Sequence, residues 1–417
     1  MGQTRNRIAS GLGSILEWYD FSLYGFFAPV LAQIFFPNNS ETIGIIKAFS
    51  IYATGFIARP IGALFFGYIS DKYGRVKLLK LTPFLITLPT FLIALLPGYR
   101  EIGIFSSIGL LICRIGQGLC IGAEFSNNIV YLCESASEKR KYFFGSIGAS
   151  TGSMGIFLGS STAALFYAMF SHQHLLNLGW RIAFGSSLIA GITIYFLRRK
   201  LKEESLYVNQ INPIVESFKY QKSDYLKVFG LTYLSATSYY FIFVFLPNFA
   251  SHNLSLHPKD TFTDNAFALL THLLITISLG LMTDKIGGII MTRIASILFI
   301  FLSFPIFYLL IQSPSHFIYC VYLFSILSSL NAASLAGLLV NILKRTTRCT
   351  VFSFSFNLCF GVFGGITPLV CFYMAEKSHH LITPVFYLIF SAIITFVTSF
   401  FIKNGLQYAK QLRSDYY

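Results

Sequence analysis

The 417-residue chain is 54% hydrophobic and only 12% charged, with a mean hydropathy of +0.64. An average soluble domain is about one-quarter charged, so this composition excludes a soluble globular protein and points to repeated crossing of a bilayer. The formal net charge of +14 does not indicate nucleic acid, because the basic residues fall in short loops between apolar runs, as cytoplasmic loops require.

A membrane-crossing helix needs about 20 mostly apolar residues. Cutting the chain at Pro, Gly and charge clusters predicts twelve spans, at residues 10–35, 43–69, 78–97, 103–133, 142–170, 179–197, 226–250, 263–283, 290–311, 316–343, 350–375 and 382–402. The first is too long, and too interrupted by acids, for a signal peptide. With the N-terminus inside, most Lys and Arg fall on the cytoplasmic side, which places both termini there. The longest connection, residues 198–225, separates a six-helix half at 1–197 from a second at 226–417 that ends in a short cytoplasmic tail. The expected class is an all-α membrane protein with twelve transmembrane helices in two pseudo-symmetric six-helix bundles.

Charges that lipid would not tolerate are concentrated in the first half. One inserted charge near the bilayer centre costs roughly 2.5–3.5 kcal/mol, so such groups face water or one another. In the first helix, Glu17, Asp20 and Tyr24 share one face, with Asp20 roughly 15 Å deep at 1.5 Å per residue. Arg59 of the second helix and Arg114 of the fourth reach a similar level. An Asp20–Arg114 ion pair is expected: desolvation and a neighbouring cation pull an acid's proton affinity in opposite senses, so making or breaking the pair would switch it. A merely structural salt bridge is the competing reading. Arg59 is expected to take a substrate carboxylate in bidentate fashion, or to pair with Glu17 or Asp20. Glu124, nearer the cytoplasmic end, reads as a proton way-station or as the partner of a basic loop residue.

Farther along, Gly145, Gly148, Gly152, Gly155 and Gly159 form a small-residue groove on the fifth helix, and Arg181 reads as an interfacial anchor. In the second half, Tyr239, Tyr240, Asn331 and Asn357 are expected toward the cavity, the tyrosines offering faces to a quaternary ammonium. His272 reads as a packed or hydrogen-bonded residue. Gly361, Gly364, Gly365 and Pro368 suggest a bend. The seven cysteines lack a CxxC pair and read as small hydrophobes, with no disulfide or metal site. No phosphate loop, catalytic triad or metal cluster is present in the sequence, so no cofactor and no enzymatic activity are expected.

The two halves repeat one another. Gly67, Asp71 and Gly74 recur as Gly280, Asp284 and Gly287 with identical spacing, each set after the second helix of its half. Gly288 stands where a second Arg75 would be expected. The glycines suit a tight turn and the Asp can accept at a helix N-terminus, so these residues are candidates for conformational gating.

The loop GYISDKYGR resembles the signature of the major facilitator superfamily. More narrowly, LEWYDFSLYGFFA at 16–28, FIARPIGALFFGYISDKYGR at 56–75, RIGQGLCIGAE at 114–124, GWRIAF at 179–184, LRRKLKEES at 197–205 and FGGITPL at 363–369 are similar to the metabolite:proton symporter family. That family includes proline/betaine, α-ketoglutarate, citrate and shikimate transporters. The resemblance implies twelve helices in two halves, and proton coupling through an acid on helix one with an Arg on helix four, here Asp20 and Arg114. The sequence ends at Tyr417 without a long coiled-coil extension, so an osmosensing tail of the kind some proline/betaine members carry is not expected.

The expectation is a monomeric, proton-coupled symporter of the bacterial inner membrane, importing a zwitterion such as proline or glycine betaine by alternating access. Its partners would be the small-molecule substrate, protons and lipid. Glu17 and Asp20 offset the arginines and would repel a multiply charged anion. An organic acid such as α-ketoglutarate or citrate is the alternative, and a passive facilitator or sensor on the same fold is the third reading.

Overall fold

The computed structural model describes residues 2–37, 41–199 and 212–402. The middle of the expected linker, with most of the LRRKLKEES segment, and the expected tail after residue 402 lie outside them. Twelve long helices follow in order: α1 (Gly2–Phe35), α2 (Glu41–Tyr73), α3 (Arg75–Leu95), α4 (Ile104–Glu134), α5 (Lys141–Met169), α6 (His172–Arg198), α7 (Lys222–Asn253), α8 (Pro258–Ile286), α9 (Gly288–Gln312), α10 (Phe317–Ile342), α11 (Arg348–Ser378) and α12 (Pro384–Phe400). Among the described residues, nine are long and apolar enough to cross a membrane; α1 and α5 are diluted by polar residues and glycines, and α12 is 17 residues long. Several helices outrun their apolar spans. The first begins at Gly2, and Arg198, expected to open the linker, is the last residue of α6.

The chain divides into two compact units, one of Met1–Tyr131 with Thr151–Ile214 and one of Leu132–Ser150 with Val215–Tyr417. The end of α4 and the start of α5 therefore pack with the second unit, although they belong to the first half by sequence. Each unit has its own aromatic core. Leu23, Phe27, Phe35, Leu110, Trp180 and Phe184 fill the first, and Phe241, Phe245, Phe249, Phe307 and Phe324 the second.

Close approach of α2 and α4 fixes the level of the buried arginines. A Cβ at Gly62 would run into the Leu119 carbonyl, one at Gly118 into the Gly55 carbonyl, and one at Gly122 into the Arg59 carbonyl. With no side chain between them, the two backbones touch and hold Arg59 and Arg114 on adjoining turns. A Gly122→Val variant is expected to lose most of its folded yield, read as the monodisperse fraction on size exclusion. Near wild-type recovery would mean that α2 and α4 separate freely. The α5 glycines serve two neighbours: Gly155 and Gly159 press on Ile15, Trp18 and Ser22 of α1, while Gly145 lies against Gly337 within the second unit.

The internal repeat is realised in backbone geometry. Gly74 (φ 102°) and Gly287 (φ 97°) cap α3 and α9 in the same left-handed conformation, which a side chain would strain. Each amide donates to the residue four back, Ser70 and Thr283 respectively.

Candidate functional site

In the first unit the buried charges lie on α1, α2, α4 and α6, and all are removed from solvent: Glu17, Asp20, Arg114, Glu124 and Arg198 are 0% exposed and Arg59 is 1%. Two guanidiniums share one ring. Arg114 lies 4.3 Å from the centre of Phe21, and also over Tyr24 and Tyr52 at 4.5 and 4.7 Å. Arg59 lies 4.7 Å from Phe21, and over Trp18 and Phe56 at 4.7 and 5.1 Å. Aromatic faces supply the negative potential that keeps a buried guanidinium charged without consuming its N–H donors.

The expected direct pair between Asp20 and Arg114 does not form. Helical depth sets a side chain's level but not its azimuth, and Asp20 turns to α3 and α6, whereas Arg114 turns to the rings of Phe21, Tyr24 and Tyr52. A relay joins them instead. Arg114 Nη1 donates to Gln117 Oε1 at 2.6 Å, Gln117 Nε2 donates to Thr90 Oγ1 at 2.7 Å, and Thr90 donates to Asp20 Oδ2 at 3.0 Å. Ser187 donates to the same Oδ2 at 2.6 Å, while Oδ1 is buried without a partner. Thr90, Gln117 and Ser187 were not singled out from the sequence, because isolated hydroxyls and amides carry no signal until a fold brings them together.

Tyr24 has its hydroxyl committed, donating to the Ala48 carbonyl at 3.1 Å, with its ring stacked on Tyr52 at 5.7 Å. Among the described residues no side-chain donor reaches either oxygen of Glu17, whose charged neighbours are Glu124, Arg59 and Arg198. Glu124 is held by Arg198 and Thr82. Arg198 also donates to the carbonyls of Ala9, Ser10 and Leu79 and to Thr82, so one cation ties α1, α3, α4 and α6. Sequence reasoning counted Arg198 as a loop charge. The available signal was its position at the end of an apolar run, at the level of an otherwise unmatched Glu124.

The candidate gating residues lie around the α2–α3 and α8–α9 turns. Asp71 is buried, with Arg75 Nη2 at 3.8 Å. Within the second unit, Asp284 accepts from the backbone amides of Tyr142 (2.9 Å) and Phe143 (3.3 Å) in the first turn of α5, where a helix end favours an anion. Glu134 at the end of α4 pairs with Arg348 at the start of α11 in the same unit.

Two π-helical turns shape the second unit's polar residues, Phe241–Phe245 in α7 and Cys359–Gly364 in α11. Such turns recur at functional sites. Tyr239 and Tyr240 immediately precede the first. Tyr240 lies where a Cβ on Gly364 would meet its ring at 2.7 Å, so the glycine of one π turn admits the tyrosine beside the other. Asn357 donates back to the Ser353 carbonyl at 2.8 Å, and Asn331 is fully buried with neither amide atom partnered among the described residues.

Comparison with known proteins places this geometry among transporters. A family model described as Major Facilitator Superfamily matches residues 11–368. The proline/betaine transporter of Escherichia coli (strain K12) is 28% identical over 421 residues, covering 97% of this chain and 84% of that protein. A glycine betaine/proline/ectoine/pipecolic acid transporter of Dickeya dadantii (strain 3937) is 29% identical, with the same coverages. Among solved structures, the proton:xylose symporter XylE bound to 6-bromo-6-deoxy-D-glucose superposes with a TM-score of 0.76 at 15% identity, covering 96% of this chain and 94% of that one. FucP in the outward conformation gives 0.68 at 14%, covering 95% and 98%.

Proposed function

We propose that this chain, which belongs to the Major Facilitator Superfamily, is a secondary symporter that couples inward proton movement to uptake of a small zwitterion such as proline or glycine betaine. The protein is a multi-pass membrane protein, and we place it as a monomer in the bacterial inner membrane with both termini cytoplasmic. The observation that carries the reading is the relay from Asp20 to Arg114. Asp20 has one oxygen held by two hydroxyls and the other open for a proton. Arg114 has one guanidinium nitrogen spent on Gln117, the other making only a long 3.4 Å bond to the Tyr52 carbonyl. A substrate carboxylate arriving at Arg114 competes with Gln117 for the guanidinium; releasing Gln117 loosens Thr90, and through it Asp20. Binding at one end then alters proton holding at the other, which is what coupling requires.

The zwitterion reading is supported by the buried acids Glu17 and Asp20 near the two arginines, which balance charge for a monocarboxylate, and by the substrates named for the similar transporters. Glu124 we assign to the Arg198 knot, with Glu17 beside it as the remaining acid of the proton route. Asp71, Arg75 and Asp284, with Gly67 and Gly74, are assigned to gating. A second reading, symport of an organic acid such as α-ketoglutarate or citrate, draws on one observation: Arg59 and Arg114 flank the same ring and could each take a carboxylate.

A competition panel of proline, glycine betaine, α-ketoglutarate, citrate and shikimate on the purified protein separates the two. Zwitterionic monocarboxylates are expected to compete; displacement only by di- or tricarboxylates would overturn the choice. In the same assay Arg59→Lys, which keeps the charge but loses the planar fork, is expected to weaken binding by at least about tenfold. Unchanged affinity would remove Arg59 from the substrate site.

A further inference from the structure

A short helix, Pro213–Tyr220, leads into α7, and from Val215 onward it belongs to the second unit. Asn212 starts it: its side-chain oxygen accepts from the Ile214 amide at 3.1 Å, with Pro213 in the first turn. One face is docked on the second unit. The hydroxyls of Ser217 and Tyr225 lie 2.9 Å apart, and Phe218 stacks on Tyr225 at 4.9 Å and meets Phe354 of α11 edge-on at 5.9 Å. The turn into α7 is pinned at Gln221, whose Oε1 accepts from the Thr347 hydroxyl at 2.8 Å; both residues are buried.

That contact gathers cations. Lys219 and Lys222 flank Gln221, and Lys344 and Arg345 come just before Thr347; all four are exposed. The two acids between residues 213 and 227 leave this charge in place, since Asp224 is paired with Lys227 at 3.2 Å and Glu216 is half-buried. Apolar side chains face outward beside the cations. Val215 is 60% exposed and Tyr220 69%, Phe218 keeps an exposed edge, and Lys219 Nζ lies 5.0 Å over the Tyr220 ring. Leu226, the first exposed apolar side chain of α7, comes only four residues after Lys222, about 6 Å of helix rise. The short helix therefore sits where α7 leaves the hydrocarbon, at the level of the lipid headgroups.

A helix that carries lysines and outward-facing apolar and aromatic residues at the edge of a bilayer lies in the interface plane, and clustered cations there are drawn to anionic headgroups. We propose that Pro213–Tyr220 is an interfacial anchor that docks on anionic phospholipid: Lys219, Lys222, Lys344 and Arg345 meet the phosphates, while Val215 and Phe218 enter the boundary with the acyl chains. The anchor ties the starts of α7 and α11 to the membrane surface. Such docking is independent of which solute is carried.

Amide hydrogen exchange across residues 214–220 is compared for the purified full-length protein in nanodiscs of phosphatidylcholine alone and of phosphatidylcholine with phosphatidylglycerol. The phosphatidylglycerol discs are expected to slow exchange there by about tenfold. Substituting all four cations, Lys219→Gln, Lys222→Gln, Lys344→Gln and Arg345→Gln, is expected to remove the difference. Lys139→Gln with Arg199→Gln, which removes two exposed cations elsewhere, is expected to keep it. Exchange in α8 reports whether each variant is folded. Raising the salt to about 0.5 M tests the wild type with no substitution at all, since screening should collapse the difference. Equal exchange of the wild type in both kinds of disc would overturn the proposal. So would a difference that survived the four substitutions or high salt, and so would its loss in the control pair, which would assign it to diffuse surface charge.

Discussion

Asp20→Asn is expected to abolish accumulation of substrate against a gradient while leaving substrate binding, and exchange across the bilayer, in place. Asparagine keeps the shape of a protonated carboxyl and can still accept from Thr90 and Ser187 at its carbonyl oxygen, so the packing of α1 on α3 and α6 survives. What it cannot do is release a proton. The relay through Thr90 and Gln117 would then be locked in one state, and the half-cycles that depend on proton release would stop. Counterflow of labelled substrate into preloaded proteoliposomes, compared with gradient-driven uptake in the same vesicles, separates the two activities. Full gradient-driven uptake by Asp20→Asn would remove Asp20 from the coupling step.

The second large effect is expected at Arg198. Its guanidinium is completely buried, paired with Glu124 and bonded to three backbone carbonyls on two other helices. Removing one partner of a buried ion pair leaves an uncompensated charge, a loss of roughly 3–5 kcal/mol, and here it also strands the carbonyls of Ala9, Ser10 and Leu79. Arg198→Ala should therefore lower the melting temperature of the purified protein sharply, whereas Arg198→Ala combined with Glu124→Gln should recover part of the loss by removing the orphaned charge. A single variant that melted with the wild type would show that the knot contributes nothing to holding α1, α3, α4 and α6 together.

The fold was almost entirely legible in the sequence, because the features that carry it are local. Apolar runs of membrane-crossing length mark the helices, and the Gly–Asp–Gly spacing that repeats between halves returns as two matching left-handed turns at Gly74 and Gly287. The site was legible only in part. That Glu17, Asp20, Arg59, Arg114 and Glu124 are buried follows from their place inside apolar runs. Who meets whom does not, since depth along a helix is read from residue number but azimuth depends on how neighbouring helices are turned. Asp20 was therefore assigned the wrong immediate partner, with the connection to Arg114 made through Gln117 and Thr90. Arg198 was hidden by its two basic neighbours, Arg199 and Lys200, which made the segment read as a solvated loop. His272 was read as packed or hydrogen-bonded; it is packed, but its ring nitrogens have no partners, a difference that only the surroundings reveal.

The most direct test of proton-coupled zwitterion uptake is labelled proline accumulation in proteoliposomes containing the purified protein, with an inward proton gradient imposed and with that gradient collapsed by a protonophore. Uptake above the equilibrium level is expected only while the gradient stands. Equilibration to the same level in both conditions would contradict it.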